Sequence, residues 1–124
     1  EPVLVYYYMH RSNLLFDVTY VRKIDLDCIA FAPSELQLAS TIVSAILLED
    51  MHFDIGRAVK PWPYDISLER LGMLMLARAF VGAAFFQSLI DRGETTVENT
   101  DLLKKYTQVM YIVKKWIDTG KCVE

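Results

Sequence analysis

The amino-acid sequence predicts an all-α domain, a compact bundle of about five helices with a central apolar helix near residues 33–50. Three observations favour this class. Prolines and glycines fall where apolar segments begin and end, and proline suits the first turn of a helix while glycine suits the position after its end. No Asn-Gly or Asp-Gly pair joins two alternating segments, as a β-hairpin would require. The apolar segments are also longer than typical strands.

Length and composition predict one domain over residues 1–124. The chain is 53% hydrophobic and 23% charged, which excludes a disordered protein and provides enough apolar surface for a core. The first residues lack the basic region of a signal peptide, and the missing initiator Met suggests an excerpt or a processed product. Cys28 and Cys122 lie too far apart in sequence for a CxxC motif, so we expect an intracellular protein of the nucleus or cytoplasm.

The first segment, about Pro2 to Val21, is predicted to be helical because its apolar stretch exceeds the length of a typical strand. The tyrosine cluster at 6–8 leaves a strand open as the alternative. A break near residues 12–13 would divide this segment into two shorter helices.

The second segment runs from Pro33 to about Asp50 and is apolar nearly all round. Such a helix is expected in the middle of a bundle, where neighbouring helices cover every side. Its small residues would let those neighbours approach closely; they are Ala39, Ser40, Ser44 and Ala45.

The connection over residues 51–66 is too long for a tight turn and rich in aromatic residues. Trp62 and Tyr64 are expected to pack back over the bundle and expose only their polar edges. Together with Arg57 and Lys60, they are the residues predicted to contact a partner protein.

The third segment is predicted to run from Ser67, as the N-cap, to Arg92, with Gly93 as the stop. Its apolar part is long enough to span a bilayer. Arg78 lies close to the centre of that part, where a charge is costly in lipid, so we predict a buried helix of a soluble bundle and no membrane contact.

The fourth segment is predicted to begin at Asn99 or Thr100 and to end at Gly120. An amphipathic stripe along it lies opposite four lysines, which are Lys104, Lys105, Lys114 and Lys115. We interpret these lysines as a solvated face. The formal charge of −3 also makes a nucleic-acid partner unlikely.

Residues that carry catalysis are sparse. His10 and His52 have no second histidine or cysteine at metal-ligand spacing, and Cys28 lies among apolar neighbours that raise its pKa. Asp25 and Asp27 diverge on a helix, and the sequence contains no phosphate-binding or nucleophile-elbow motif. The sequence therefore predicts no enzyme, no cofactor, no metal and no small-molecule substrate.

One stretch resembles a known family. Leu14-Leu15-Phe16-Asp17 and the residues from Ile24 to Ser40, which include Ala32-Pro33-Ser34-Glu35, resemble the second cyclin-fold repeat of cyclins. The resemblance implies a five-helix bundle and a regulatory subunit of a cyclin-dependent kinase complex. The Lys-Glu pair and the MRAIL-like patch of the first cyclin box have no counterpart here, so no kinase-contacting residue is carried over.

Two alternatives stay open. A cyclin-fold domain related to TFIIB would contact nucleic acid or other proteins, and would need a positive face. A helical bundle could instead bind a partner helix or an apolar ligand in a groove rimmed by methionines. The methionines proposed for that groove are Met51, Met73, Met75 and Met110.

Overall fold

A computed structural model describes residues 2–6, 14–16, 18–23, 29–48 and 53–120. The helices in this part are α1 (Ser34–Leu48), α2 (Ile55–Val59), α3 (Leu68–Asp91) and α4 (Val97–Thr119). The strands are β1 (Val3–Tyr6), β2 (Leu14–Phe16), β3 (Val21–Lys23) and β4 (Ile29–Ala32). A mostly helical chain confirms the broad all-α class, while the described residues contain four helices instead of the five predicted.

The helix predicted near residues 33–50 is confirmed as α1. Pro33 precedes it and accepts a hydrogen bond of 3.0 Å from the backbone N–H of Leu36. The helix contacts α2, α3, α4 and β1. This central position agrees with the apolar composition of the helix. Its buried apolar side chains are Leu38, Ala39, Ile42, Val43 and Ile46.

The predicted connection over residues 51–66 contains a short helix, α2. Asp54 caps α2, since its carboxylate accepts a hydrogen bond of 3.1 Å from the backbone N–H of Arg57. Ile55, the first helical residue, is fully buried. The Asp54 cap and the buried Ile55 side chain therefore help to hold this turn of helix against the bundle.

The predicted ends of α3 are confirmed. The Ser67 hydroxyl accepts a hydrogen bond of 3.2 Å from the backbone N–H of Arg70, and the chain reverses after Asp91 through Gly93 at φ 91°. Glycines let α3 approach α4 closely. A Cβ at Gly82 would overlap the ring of Tyr106, so this glycine is required by packing.

The end of α4 at Gly120 is confirmed, with φ 73° and a hydrogen bond of 2.8 Å from its N–H to the carbonyl of Trp116. The predicted start at Asn99 or Thr100 is wrong, because Thr96 is the cap. Its hydroxyl accepts a hydrogen bond of 3.1 Å from the N–H of Asn99, and the Asn99 side chain bonds back to Glu94.

The N-terminal segment contains strands where a helix was predicted over Pro2 to Val21, so that prediction is wrong. Strands β1 and β4 pair antiparallel, with Val3 opposite Ala32 and Tyr6 opposite Ile29, and β2 pairs with β3. The β-branched and aromatic residues of β1 favour a strand. The predicted break near residues 12–13 lies outside the described residues.

The core lies between α1, α3 and α4, but α3 is less covered than predicted. Among the described residues, α3 is the helix long and apolar enough to cross a membrane by length and composition, and 22% of its most apolar window is buried. Met73, Phe80, Val81 and Phe85 remain exposed on it. Neighbouring helices therefore cover only part of its apolar surface.

Candidate functional site: an apolar cleft at one end of the bundle

A cleft opens where α2, the first turn of α3 and the last turn of α4 meet. Its volume is about 600 Å³, within the usual range for a binding pocket. Its lining is mostly apolar and comprises Gly56, Val59, Leu68, Glu69, Trp116, Ile117 and Gly120.

Each wall is placed by a local feature of the sequence. The Asp54 cap and buried Ile55 hold α2 so that Val59 forms one wall. The Ser67 cap starts α3 at Leu68, whose side chain is left more than half exposed in the cleft.

Ile117 forms the opposite wall because Gly72, the residue of α3 next to it, has no side chain. A Cβ built at Gly72 would lie 2.7 Å from Cγ1 of Ile117. The Ile117 side chain therefore rests on the backbone of α3, and the residue is 45% exposed in the cleft.

Glu35 fixes the first turn of α3 relative to α1. Its carboxylate is buried and accepts a hydrogen bond of 2.9 Å from the backbone N–H of Ser67, and Arg70 lies 3.5 Å away. Burial acts to raise the pKa of Glu35. Hydrogen bonds from the backbone N–H groups of Ser67 and Glu35 itself, with the charge of Arg70, outweigh burial and hold this pKa below its ordinary value.

Positive charge flanks the cleft on α2. Arg57 follows Gly56 in the chain, and Lys60 follows Val59 one turn later; both side chains are exposed. Within the described part of the chain, neither side chain forms an ion pair. Glu69 provides the only negative charge among the lining residues, so the rim carries both signs.

Three of the four lysines of α4 make contacts within their own helix, unlike the side chains of Arg57 and Lys60. Lys105 pairs with Asp101 at 3.2 Å, and Lys114 pairs with Asp118 at 3.0 Å. Lys115 lies 6.0 Å from the centre of the Tyr111 ring. These contacts agree with the interpretation of a solvated helix face.

The four predicted partner-contact residues fall into two groups. Arg57 and Lys60 lie beside the cleft, whereas Trp62 and Tyr64 line a smaller cavity of about 230 Å³ next to β1 and the start of α1. Tyr64 is 53% exposed. The Trp62 ring packs on the core and its Nε1 is buried without an acceptor among the described residues, so the prediction that its polar edge is exposed is wrong.

The predicted methionine groove is present only in part. Met73 and Met110 line a shallow groove of about 380 Å³ with Leu76, Ala77 and Phe80. Met75 is buried in the core instead, and Met51 lies outside the described residues.

The remaining candidate residues, His10, His52, Cys28 and Cys122, lie outside the described residues, as do Asp25 and Asp27. Among the residues that the structure describes, no three metal-ligating side chains come together. Sequence reasoning missed the cleft walls Leu68, Trp116 and Ile117. The one available signal was an apolar residue directly after a helix cap, at Leu68.

Comparison of the chain with known protein families, curated proteins and solved structures finds no match. Membership of a family is therefore not shown, and the relation to cyclins stays a prediction.

Proposed function

We propose that this domain is a non-enzymatic protein-interaction module whose end cleft binds a short segment of a partner protein. The observation that carries the proposal is the open apolar cleft of about 600 Å³, bordered by exposed charges. Protein interfaces share this design of an apolar centre within a polar rim. Bulky anchor side chains that fill such pockets supply most of the binding energy.

The partner segment carries one large apolar side chain next to an acidic residue. The apolar side chain fits between Leu68, Trp116 and Ile117, which together leave a hydrophobic surface uncovered. The acidic residue pairs with Arg57 or Lys60, whose charges have no ion-pair partner among the described residues. Charge complementarity of this kind selects the partner and its orientation more than it adds affinity.

A regulatory role beside a cyclin-dependent kinase is the setting that we propose for this binding. Its support is the cyclin-like sequence from Ile24 to Ser40, together with an apolar α1 that contacts the three other helices of the described residues. Co-purification of a cyclin-dependent kinase with the chain tests this setting. Failure to recover any such kinase contradicts the setting and leaves the cleft to be tested separately.

Binding of defined peptides tests the cleft directly. The probes are peptides with a central Leu, Phe or Trp flanked by Glu in one set and by Lys in the other, measured by fluorescence polarisation. We expect the Glu-flanked set to bind more tightly, and Ile117→Asp to abolish binding. Val97→Glu places the same charge on an exposed residue away from the cleft and serves as the control.

Reversal of the rim charge tests the role of α2. The double variant Arg57→Glu with Lys60→Glu should exchange the preference, so that the Lys-flanked peptides bind more tightly. Circular dichroism checks that each variant is folded. Equal binding of both peptide sets, or binding that survives Ile117→Asp, contradicts the proposal.

A further inference from the structure

One face of α3 is apolar and uncovered over the central half of the helix. Met73, Phe80 and Val81 are each about 60% exposed, and Ala77 and Ala84 are exposed as well. These positions recur at intervals of three and four residues, so they share one face of the helix. We call these five residues the α3 stripe.

Opposite charges close the two ends of the α3 stripe. Arg70 lies one turn before Met73, and its side chain is 57% exposed even though it also approaches Glu35. Asp91, at the C-terminal end of α3, is exposed and accepts a hydrogen bond from Gln87. At the period of an α-helix, Arg70 and Asp91 lie on the same face as the stripe.

The stripe is complementary to itself. The midpoint of the stretch from Arg70 to Asp91 falls between Phe80 and Val81. Two copies can pack antiparallel about a two-fold axis through that midpoint. Each residue then lies level with the residue of the second copy that is equally far from the midpoint on its other side. Arg70 is then level with Asp91 of the second copy, and Ala77 with Ala84.

We propose that α3 pairs antiparallel with α3 of a second copy, so that the chain forms a homodimer through the α3 stripe. The small side chains of Ala77 and Ala84 allow the two helix axes to approach to about 8 Å. The Phe80 and Val81 side chains of both copies meet beside the two-fold axis. The ion pairs between Arg70 and Asp91 close both ends and fix the antiparallel direction.

The area available suits a dimer of modest affinity. The exposed parts of the stripe and its end residues amount to about 600 Å² in each copy, taking a large side chain as roughly 200 Å². The total of about 1,200 Å² is at the lower limit for a stable protein interface. An interface of this size suits a dimer that dissociates on dilution.

Sedimentation equilibrium of the full chain tests the proposal. We expect the mass to rise from monomer to dimer with concentration, and Val81→Glu to weaken the dimer at least about tenfold. Val97→Glu is the matched control, because Val97 is 88% exposed in the first turn of α4, off the α3 stripe. A monomer at every concentration, or a dimer that Val81→Glu leaves intact, overturns the proposal.

A charge reversal at Asp91 tests the orientation. Asp91→Lys places two positive charges at each end and should weaken the dimer, whereas Asp91→Glu keeps the ion pair with Arg70 and should preserve it. Cross-linking gives a second readout: Val81→Cys, in a chain with Cys28 and Cys122 replaced by Ser, should form an intermolecular disulfide near the two-fold axis. Val97→Cys in the same chain should not.

Other outcomes are informative about what covers α3. Preferential association with phosphatidylcholine vesicles, with loss of the dimer, overturns the proposal in favour of a membrane surface. Failure of the dimer leaves the cleft proposal untouched, because the α3 stripe and the cleft share no residue.

Discussion

The carboxylate of Glu35, in the first turn of α1, accepts a hydrogen bond of 2.9 Å from the backbone N–H of Ser67, the residue that caps α3. The bond joins the starts of two helices that are 32 residues apart in sequence. Glu35 is 4% exposed, so this contact is shielded from water. It orients the first turn of α3, and with it the Leu68 wall of the cleft.

Glu35→Gln should destabilise the domain at neutral pH by about 1 to 3 kcal/mol, because a charged acceptor is lost from a buried hydrogen bond. The folded pKa of Glu35 lies below its unfolded value, so the unfolded chain binds more protons between the two values. Its stabilisation is complete above the unfolded pKa and declines as the pH falls through the folded pKa. Urea unfolding at a series of acidic pH values measures this.

The contribution of Glu35 is the difference in the free energy of unfolding between wild type and Glu35→Gln at each pH. That difference should shrink as the pH falls. Glu94→Gln removes an exposed carboxylate from the turn before α4 and is the control, with little change expected. A constant difference between wild type and Glu35→Gln across the acid range would show that the charge of Glu35 contributes nothing.

Gly82→Ala should destabilise the domain by about 1 to 3 kcal/mol, although alanine favours a helix over glycine by about 1 kcal/mol. The added Cβ would overlap the Tyr106 ring, which itself stacks on Phe86 at 5.8 Å. Chemical denaturation measures the change. In a Tyr106→Leu background the cost should be smaller, and an equal cost in both backgrounds would place the clash elsewhere.

Thr96→Ala should cost about 1 kcal/mol of stability, because the hydroxyl that caps α4 is removed. Thr100→Ala removes a hydroxyl that only bonds back to the carbonyl of Thr96, and should cost less. Thermal unfolding of the two variants ranks them. A larger effect at Thr100 would favour the later start of α4.

Ser40→Ala should be neutral or stabilising by up to about 1 kcal/mol. The Ser40 hydroxyl is buried in α1 without a hydrogen-bond partner among the described residues. Removing an unsatisfied buried polar group relieves its desolvation cost. Thr41→Ala, on the exposed side of the same turn, is the control, and a clear loss of stability in Ser40→Ala would indicate a hydrogen bond to this hydroxyl.

The long helices could be predicted because their limits depend on local chemistry. Ser67 and Gly120 act on the helix ends that lie next to them in the chain, and the sequence shows both. The start of α4 is harder to predict from the sequence, because Thr96, Asn99 and Thr100 are all able to cap a helix. The choice among them depends on the turn that Glu94 and Asn99 build together.

The β1 strand could not be predicted in the same way. Its pairing joins Val3 to Ala32, and that contact leaves no mark in the sequence around either residue. The cleft was missed for a related reason. In the sequence, Trp116 and Ile117 occupy ordinary core positions of an amphipathic helix. The cleft beside them exists because α2 and Leu68 lie opposite them in the fold, which the sequence does not show.

The position of α1 before its partners in the chain has a consequence for synthesis. Ribosomes deliver β1, β4 and α1 first, while α3 and α4, which cover α1, emerge later. The α3 and α4 pair depends on contacts between neighbouring segments and can form quickly once both have emerged, whereas β1 must find β4 across 22 intervening residues. The apolar side chains of a nascent α1 therefore stay exposed until α3 and α4 have emerged, and this interval favours aggregation over folding.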